Sequence, residues 1–177
     1  MKDKKTRTEN VTQGFEVTFD ESGEKPSFPS MLTNQLRLDI GCGPCKKSKF
    51  LGLDLIRTKA TDVVADSANL PIKEGCFDYV YSRRCIQHVK NDEQAFKEIY
   101  RMLKLHGRFE LIVASIYGYL FYKFGLSESH GKYKVFHLYL KSKLRKMLKE
   151  AGFLNIKISK VKSTRRIGYD FRAICEK

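Results

Sequence analysis

Apolar runs of strand length recur from Gln35 to the end of the chain, and most of them stop at a glycine or an acidic residue. Leu36 to Ile40 reads as a buried strand ending at Gly41, and Phe50 to Leu55 as a second. Thr61 to Ala65, with Val63 and Val64 at its centre, is a third, and Phe77 to Tyr81 a fourth. The period then changes. From Asn91 to Lys104 the residues Ala95, Phe96, Ile99, Met102 and Leu103 fall on one helical stripe. Asn91 stands as its cap, Gln94 approximates a capping box, and Gly107 stops it. Arg108 to Ala114 is a fifth strand. Ser142 to Ala151 is a second helix, with Leu144, Met147 and Leu148 inward and Gly152 as its terminator. Phe153 to Ser159 and Tyr169 to Cys175 close the chain as two strands.

Strands alternating with helices predict an α/β fold, with a largely parallel sheet and helices on its faces. The short link between the two closing strands predicts an antiparallel hairpin at one edge. Only Pro44 to Lys49 separates Gly43 from Phe50. A parallel crossover takes about a dozen residues or more and usually a helix, so the first helix is shortened or missing. In open sheets of this kind ligands sit beyond the carboxyl ends of the strands, near the switch point. Chemistry is therefore sought in the loops that follow the strands.

Residues 1–30 read differently. Met1 to Gln13 has no periodicity, Gly14 to Asp20 alternates weakly as a short strand would, and Glu21 to Pro26 is turn chemistry. This polar leader is expected to be mobile, with one domain over 31–177. No apolar run approaches the roughly 20 residues of a membrane helix, and no apolar stretch follows the polar N-terminus as a secretory signal requires. A soluble, cytoplasmic protein is the expectation.

The net charge of +14 is uneven. Lys141, Lys143, Arg145, Lys146, Lys149, Lys157, Lys160, Lys162, Arg165 and Arg166 stand against Glu150 alone in that stretch. Lys141–Arg166 is a candidate surface for RNA or another anionic partner, or a solvated lysine-rich surface; no RNA-binding motif accompanies it. The five cysteines are an odd number. Cys42 and Cys45 form a C-x-x-C with no second pair at zinc-site spacing, so no metal is expected.

The turn Asp39-Ile40-Gly41-Cys42-Gly43 ends the first strand. Glycine there lets a backbone approach a ligand closely. The dinucleotide pattern G-x-G-x-x-G is not completed, because Lys46 holds the third glycine position. An aspartate before the turn disfavours a diphosphate and suits a ligand carrying a sulfonium and an amino group.

On these residues the chain resembles the class I, Rossmann-like S-adenosylmethionine-dependent methyltransferases, of the methyltransferase type 11 kind. Leu38 to Pro44 is similar to their first motif, and Leu51 to Leu55 to the strand whose acidic end holds the ribose. Val64 to Pro71 is similar to the adenine-reading segment, and Phe77 to Ser82 to their fourth strand. Gln87-His88-Val89, Glu98 to Gly107 and Leu144 to Phe153 follow in the family's order. The resemblance implies S-adenosylmethionine as cofactor and a seven-stranded, mostly parallel sheet. It implies that Asp39, Gly41 and Gly43 line the methionine end, Asp54 accepts from the ribose hydroxyls, and Asp66 accepts from the adenine amino group with Ser67 beside it. Cys42, Leu55 and Ser82 complete the implied site. Cys45 departs from the family, which commonly has a third glycine there.

His88 is the candidate general base by location, needed only if the methyl acceptor must lose a proton; a structural role is its alternative. His130 and His137 lie after the fifth strand, and His106 lies at the far end from the site. The aromatic stretch Ile116 to Phe124 can line an acceptor pocket, touch a membrane surface or pack on the sheet. The acceptor itself is not legible. It is expected to be a small or lipid-like molecule. RNA or a ribosomal protein, guided by the basic stretch, is the alternative, and so is a cofactor-binding subunit without turnover.

Overall fold

The computed structural model describes residues 35–117, 120, 134–163 and 168–177. The expected leader, its short strand, His130, Arg165, Arg166 and most of the aromatic stretch lie outside these residues. The described chain runs β1 (Arg37–Ile40), β2 (Leu51–Asp54), β3 (Val63–Val64), β4 (Phe77–Arg83), α1 (Asp92–Met102), β5 (Leu103–Ala114), α2 (Lys141–Glu150), β6 (Leu154–Lys162) and β7 (Tyr169–Glu176). A single 3₁₀ turn, Ile86–His88, precedes α1.

The strands form one seven-stranded sheet in the order β3-β2-β1-β4-β5-β7-β6. The first five strands in this order pair in parallel, and β7 runs antiparallel to both β5 and β6. The mostly parallel sheet with an antiparallel edge hairpin is thus as expected. The chain leaves β1 outward to β2 and β3, then returns to β4. The switch point therefore lies between β1 and β4, and the loops after these two strands meet there.

The missing helix is observed, and the effect is wider than the first connection. Residues 41–50, 55–62 and 65–76 contain no helix. Among the described residues, α1 and α2 lie on one face of the sheet. That face carries Leu38, Ile40, Leu53, Val80, Phe109, Leu111, Val113, Phe171, Ala173 and Cys175, all buried. Phe96 of α1 meets Phe109 edge-on, and Phe153, which follows α2, stacks on Phe109. Each such ring, taken fully out of water, contributes about 1.5–3 kcal/mol. The opposite face presents Arg37, Tyr79, Tyr81, Arg83, Arg108, Glu110 and Arg172, as strand alternation requires from the register.

Local signals mark the helices. The Asn91 side chain accepts the Gln94 backbone N–H, and Ala95, Phe96, Ile99 and Met102 are buried. Leu144, Met147 and Leu148 are buried in α2, and Gly152 follows with φ +106°. One boundary differs from expectation. Helix α1 ends at Met102, and Leu103 opens β5 by pairing with Phe77. Gly107 lies inside β5 and does not stop the helix. The reason is that Leu103 fits the helical stripe and the strand equally well, and sheet pairing decides between them.

Candidate active site

The turn after β1 is closed by one acceptor. The Leu53 carbonyl accepts from both Gly41 N (2.7 Å) and Cys42 N (3.1 Å). Gly41 and Gly43 take φ of +72° and +57°, the left-handed region that favours glycine. Their surroundings differ. A Cβ on Gly41 would lie 2.2 Å from Cys85 Cβ and 2.5 Å from its Sγ, whereas a Cβ on Gly43 would meet nothing within 4 Å. Gly41 is fixed by packing on the loop after β4; Gly43 borders open space.

Two carboxylates hold backbone amides of the loops after β1 and β2. Asp54 Oδ2 accepts from Gly43 N at 2.8 Å, and its Oδ1 accepts from Ile56 N at 3.1 Å. Asp39 Oδ2 accepts from Lys47 N at 2.8 Å. Asp39 is buried, and burial raises its carboxyl above the ordinary range against the lowering effect of that amide and of the Lys47 charge. Asp66, after β3, forms an Asx turn: Oδ1 accepts from Ala68 N at 2.9 Å. An ionised carboxylate offers about four acceptor positions. Asp54 uses two, one on each oxygen, so each oxygen keeps one.

Cys85 is the residue on which the acids converge. Burial and the negative charges of Asp54, Asp39 and Asp66 push its thiol up to about 12, so at neutral pH it is an uncharged thiol. It sits after Arg84, a non-glycine residue at φ +57°. Arg84 bonds Asp170 Oδ2 through Nε (3.0 Å) and a terminal nitrogen (2.7 Å), and that nitrogen also donates to Ser163 Oγ at 2.7 Å. The ion pair anchors the turn carrying Cys85 to β7.

The next turn is held by a directed chain of hydrogen bonds. Ala114 N donates to Gln87 Oε1 at 2.8 Å. The Gln87 amide nitrogen therefore points at His88 Nε2, 3.4 Å away. His88 Nδ1 lies 2.8 Å from the Lys134 carbonyl and must carry the proton there, because a carbonyl only accepts. Below it, Tyr139 donates to buried Asp92 at 2.8 Å, and His137 Nδ1 lies 3.4 Å from the same oxygen. Burial and the Asp92 carboxylate push the Tyr139 hydroxyl far up, so it stays a donor.

Gly41 thus packs on Cys85, the charges of Asp54, Asp39 and Asp66 act on its thiol, Gly43 is bonded to Asp54, and His88 lies one turn further on. Cys42 points its side chain elsewhere, toward the Ala60 carbonyl (3.7 Å) and Thr61. Leu55 and Ile56, next to Asp54, are 69% and 49% exposed, an apolar shelf beside the carboxylate. Ser67 is buried, and Ser82 Oγ is buried with no hydrogen-bond partner among the described residues. Sequence reasoning missed Arg84, Cys85 and Gln87; the one available signal was their place just after the fourth strand. The described part of the basic stretch divides unevenly between the sheet faces, with α2 on the same side as Lys160 and Lys162. Register puts Lys157 on the charged sheet face and Lys160 and Lys162 on the other, while Lys141 to Lys149 lie on α2. Among the described residues there is no disulfide and no cluster of three potential metal ligands, and no helix is long and apolar enough to cross a membrane.

Residues 38–111 match the family model described as a methyltransferase domain. Among curated proteins, phosphoethanolamine N-methyltransferase 2 of Caenorhabditis elegans is 29% identical over 99 residues, 52% of this chain and 21% of that protein. The match therefore spans about a fifth of the relative's length. Among solved structures, phosphoethanolamine N-methyltransferase 2 of Haemonchus contortus, in complex with phosphomonomethylethanolamine and S-adenosylhomocysteine, has a TM-score of 0.57 and 26% identity over 76% of this chain and 36% of that one. A possible histamine N-methyltransferase from Thermotoga maritima has a TM-score of 0.61 at 20% identity, covering 82% and 84% of the two chains, a likeness of fold.

Proposed function

We propose, on the match of residues 38–111 to a methyltransferase-domain family model, that the chain is an S-adenosylmethionine-dependent methyltransferase whose cofactor site is the loop cluster after β1, β2 and β3. The observation that carries this reading is Asp54. It keeps one acceptor position on each oxygen, it borders the open space at Gly43, and it stands beside the exposed Leu55 and Ile56. Two hydroxyls on adjacent ribose carbons need two acceptors, and an adenine ring needs an apolar shelf. Asp66, with Oδ2 available, is suited to the adenine amino group, and Ser67 lies next to it. Asp39, beside the turn, favours in its carboxylate form the positive charge of a sulfonium and of an amino group.

S-adenosylmethionine, when bound, supplies an activated methyl carbon. The chain's own part is position and surroundings. Gly41, with Cys85 behind it, fixes the turn; Asp39 and Asp54 set the local field. We propose a small phosphorylated amine as acceptor, on the strength of the 29% identity to the worm phosphoethanolamine enzyme. Such an amine nitrogen would form its new bond to the methyl carbon as the carbon–sulfur bond breaks and S-adenosylhomocysteine leaves with that electron pair, and the nitrogen would lose a proton. His88 Nε2 is the atom we assign to receive it, because its bond from Gln87 is long at 3.4 Å and can be exchanged. Cys42 and Ser82 would act only through backbone and packing.

Titration calorimetry of the full chain with S-adenosylmethionine tests the premise. Binding is expected, and none at millimolar cofactor sinks it. Asp54→Ala removes two bonds to a charged group, about 1.5–3 kcal/mol each, so affinity should fall by about 100-fold or more. Unchanged affinity sinks the ribose assignment. Labelled methyl transfer to phosphoethanolamine tests the acceptor. Label on RNA or ribosomal protein instead would move the acceptor to those classes, and binding without any transfer would make the chain a cofactor-binding subunit.

A further inference from the structure

The sheet face opposite α1 and α2 has a composition that a merely solvated surface does not need. Tyr79 and Tyr81 stand two apart in β4, on the same side, about 6.7 Å from each other at strand rise. Both are partly exposed. Phe50 supports them edge-on, with ring centroids at 5.7 and 6.4 Å. Lys47 Nζ lies 4.1 Å from the Tyr81 ring centre. In the neighbouring rows stand Arg37, Arg83, Arg108 and Arg172. Arg83 and Arg108 are exposed and have no ion pair or side-chain hydrogen bond among the described residues. The acids on this face are committed: Glu110 accepts from Tyr79 and pairs with Arg172 at 2.7 Å, Asp39 is buried, and Glu176 accepts from Asn155 at 2.9 Å.

We propose that this face binds single-stranded nucleic acid, with Tyr79 and Tyr81 as the stacking platform and Arg83 and Arg108 as phosphate contacts. Every base has a flat face that stacks on an aromatic ring, and a single strand offers that face free. Paired bases in a duplex do not. The surrounding cations supply the sequence-independent attraction to phosphates. Aromatic rings ringed by arginines on a sheet surface are the combination that recognises unpaired bases. Arg108 stands opposite Tyr79 in the neighbouring strand, about 4.8 Å across, and Arg83 lies two residues beyond Tyr81, about 6.7 Å along β4, so each ring has a cation beside it for the backbone of a stacked nucleotide. This goes beyond the methyl-transfer reading and does not depend on it. The surface is distinct from Lys141 to Lys149 on α2.

The test uses the full chain and a fluorescein-labelled twelve-nucleotide uridine RNA, read by anisotropy between about 50 and 200 mM salt, with a DNA strand and a duplex of equal length beside it. Single strands should bind more tightly than the duplex. Arg83→Glu with Arg108→Glu should weaken binding at least tenfold and lower the slope of log affinity against log salt by about 1.4, at about 0.7 per lost contact. Tyr81→Ser should weaken binding about tenfold with the slope unchanged. Lys143→Glu with Lys149→Glu on α2 should leave it within about twofold. Melting curves check that the variants are folded; if the double glutamate variant is not, Arg83→Ala with Arg108→Ala should lower the slope alike. No saturable binding at low salt overturns the proposal. So does duplex binding as tight as single-strand binding, or loss of binding only in the α2 variant. Sedimentation showing a dimer that Arg83→Glu with Arg108→Glu disperses would assign the face to a second copy and equally overturn it.

Discussion

The contact between Gly41 and Cys85 gives a stability prediction with two separable parts. Alanine at position 41 keeps φ near +72°, in the left-handed region, which costs an L-residue about 1–2 kcal/mol. Its Cβ would also lie 2.2 Å from Cys85 Cβ, far inside contact distance, and neither backbone is at the free end of a flexible side chain. Overpacking of this kind costs about 1–3 kcal/mol. Gly41→Ala should therefore lose about 2–5 kcal/mol, a large share of a domain's stability. The second part can be removed without the first. Cys85→Gly takes away the clashing Cβ and Sγ, so Gly41→Ala in that background should cost only the conformational 1–2 kcal/mol. Urea unfolding of the four proteins forms the cycle, and the coupling should be about 1–3 kcal/mol. A coupling near zero would refute the claim that Cys85 is what requires glycine at 41. Calorimetry on the same set separates packing from ligand approach. If Cys85→Gly restores stability to Gly41→Ala but not cofactor affinity, the turn needs glycine for a second reason.

Two further perturbations follow from the charge network. Arg84→Ala leaves the Asp170 side chain, 3% exposed, without its cation, and should cost about 3–5 kcal/mol in urea unfolding; a loss below about 1 kcal/mol would sink the anchoring role. Asp170→Asn in the Arg84→Ala background should recover part of it, because the unpaired charge is gone. Glu110 gives a pH dependence: burial pushes its carboxyl up, but the Tyr79 hydroxyl and the Arg172 guanidinium outweigh it and hold it below the ordinary 4.5. A carboxyl lowered on folding stabilises above its unfolded value and loses that contribution as pH falls through the folded value. Glu110→Gln should thus lose about 1.5 kcal/mol at pH 7, and the deficit should shrink toward pH 3; an equal deficit at both pH values, measured by urea melts, would contradict the assignment.

Hydropathy alone located every described strand; in β1, β2 and β5 the inward face carries two or more large apolar residues at period two, whereas β3 offers only the adjacent Val63 and Val64. It overextended β3. Thr61 was read as strand, yet its hydroxyl accepts from Thr58 N and donates to the Ile56 carbonyl in the loop before it. It also misplaced the α1 boundary at Leu103, where both periods fit. The ring of acids was legible from order in the chain. Cys85 was not, since the clash that fixes Gly41 is a contact between loops far apart in sequence. The alternation Tyr79-Val80-Tyr81-Ser82-Arg83 and Arg108-Phe109-Glu110-Leu111 carried a further signal. A parallel strand buried on both faces is apolar nearly throughout; these are not. Polar residues at every second position in β4 and β5 therefore announce a sheet covered on one side, and so the loss of more than one helix.

That loss explains the shape of the candidate site. A helix placed after β1 would bring its first amides to the turn, where they would face a ligand. Here the amides of Gly43 and Lys47 are bound by Asp54 and Asp39 instead. The same carboxylates are the proposed ligand contacts, so turn stability and cofactor binding draw on shared oxygens. Asp54→Asn separates them. An amide keeps one oxygen to accept from Gly43 N but replaces the other with a donor, which can accept neither from Ile56 N nor from a ribose hydroxyl. The turn should then survive, with thermal stability within about 1 kcal/mol, while cofactor affinity falls by at least tenfold. Asp54→Ala should lose both together. If Asp54→Asn binds the cofactor as the natural chain does, the carboxylate serves only the turn, and the lost helix has taken the ribose contact with it.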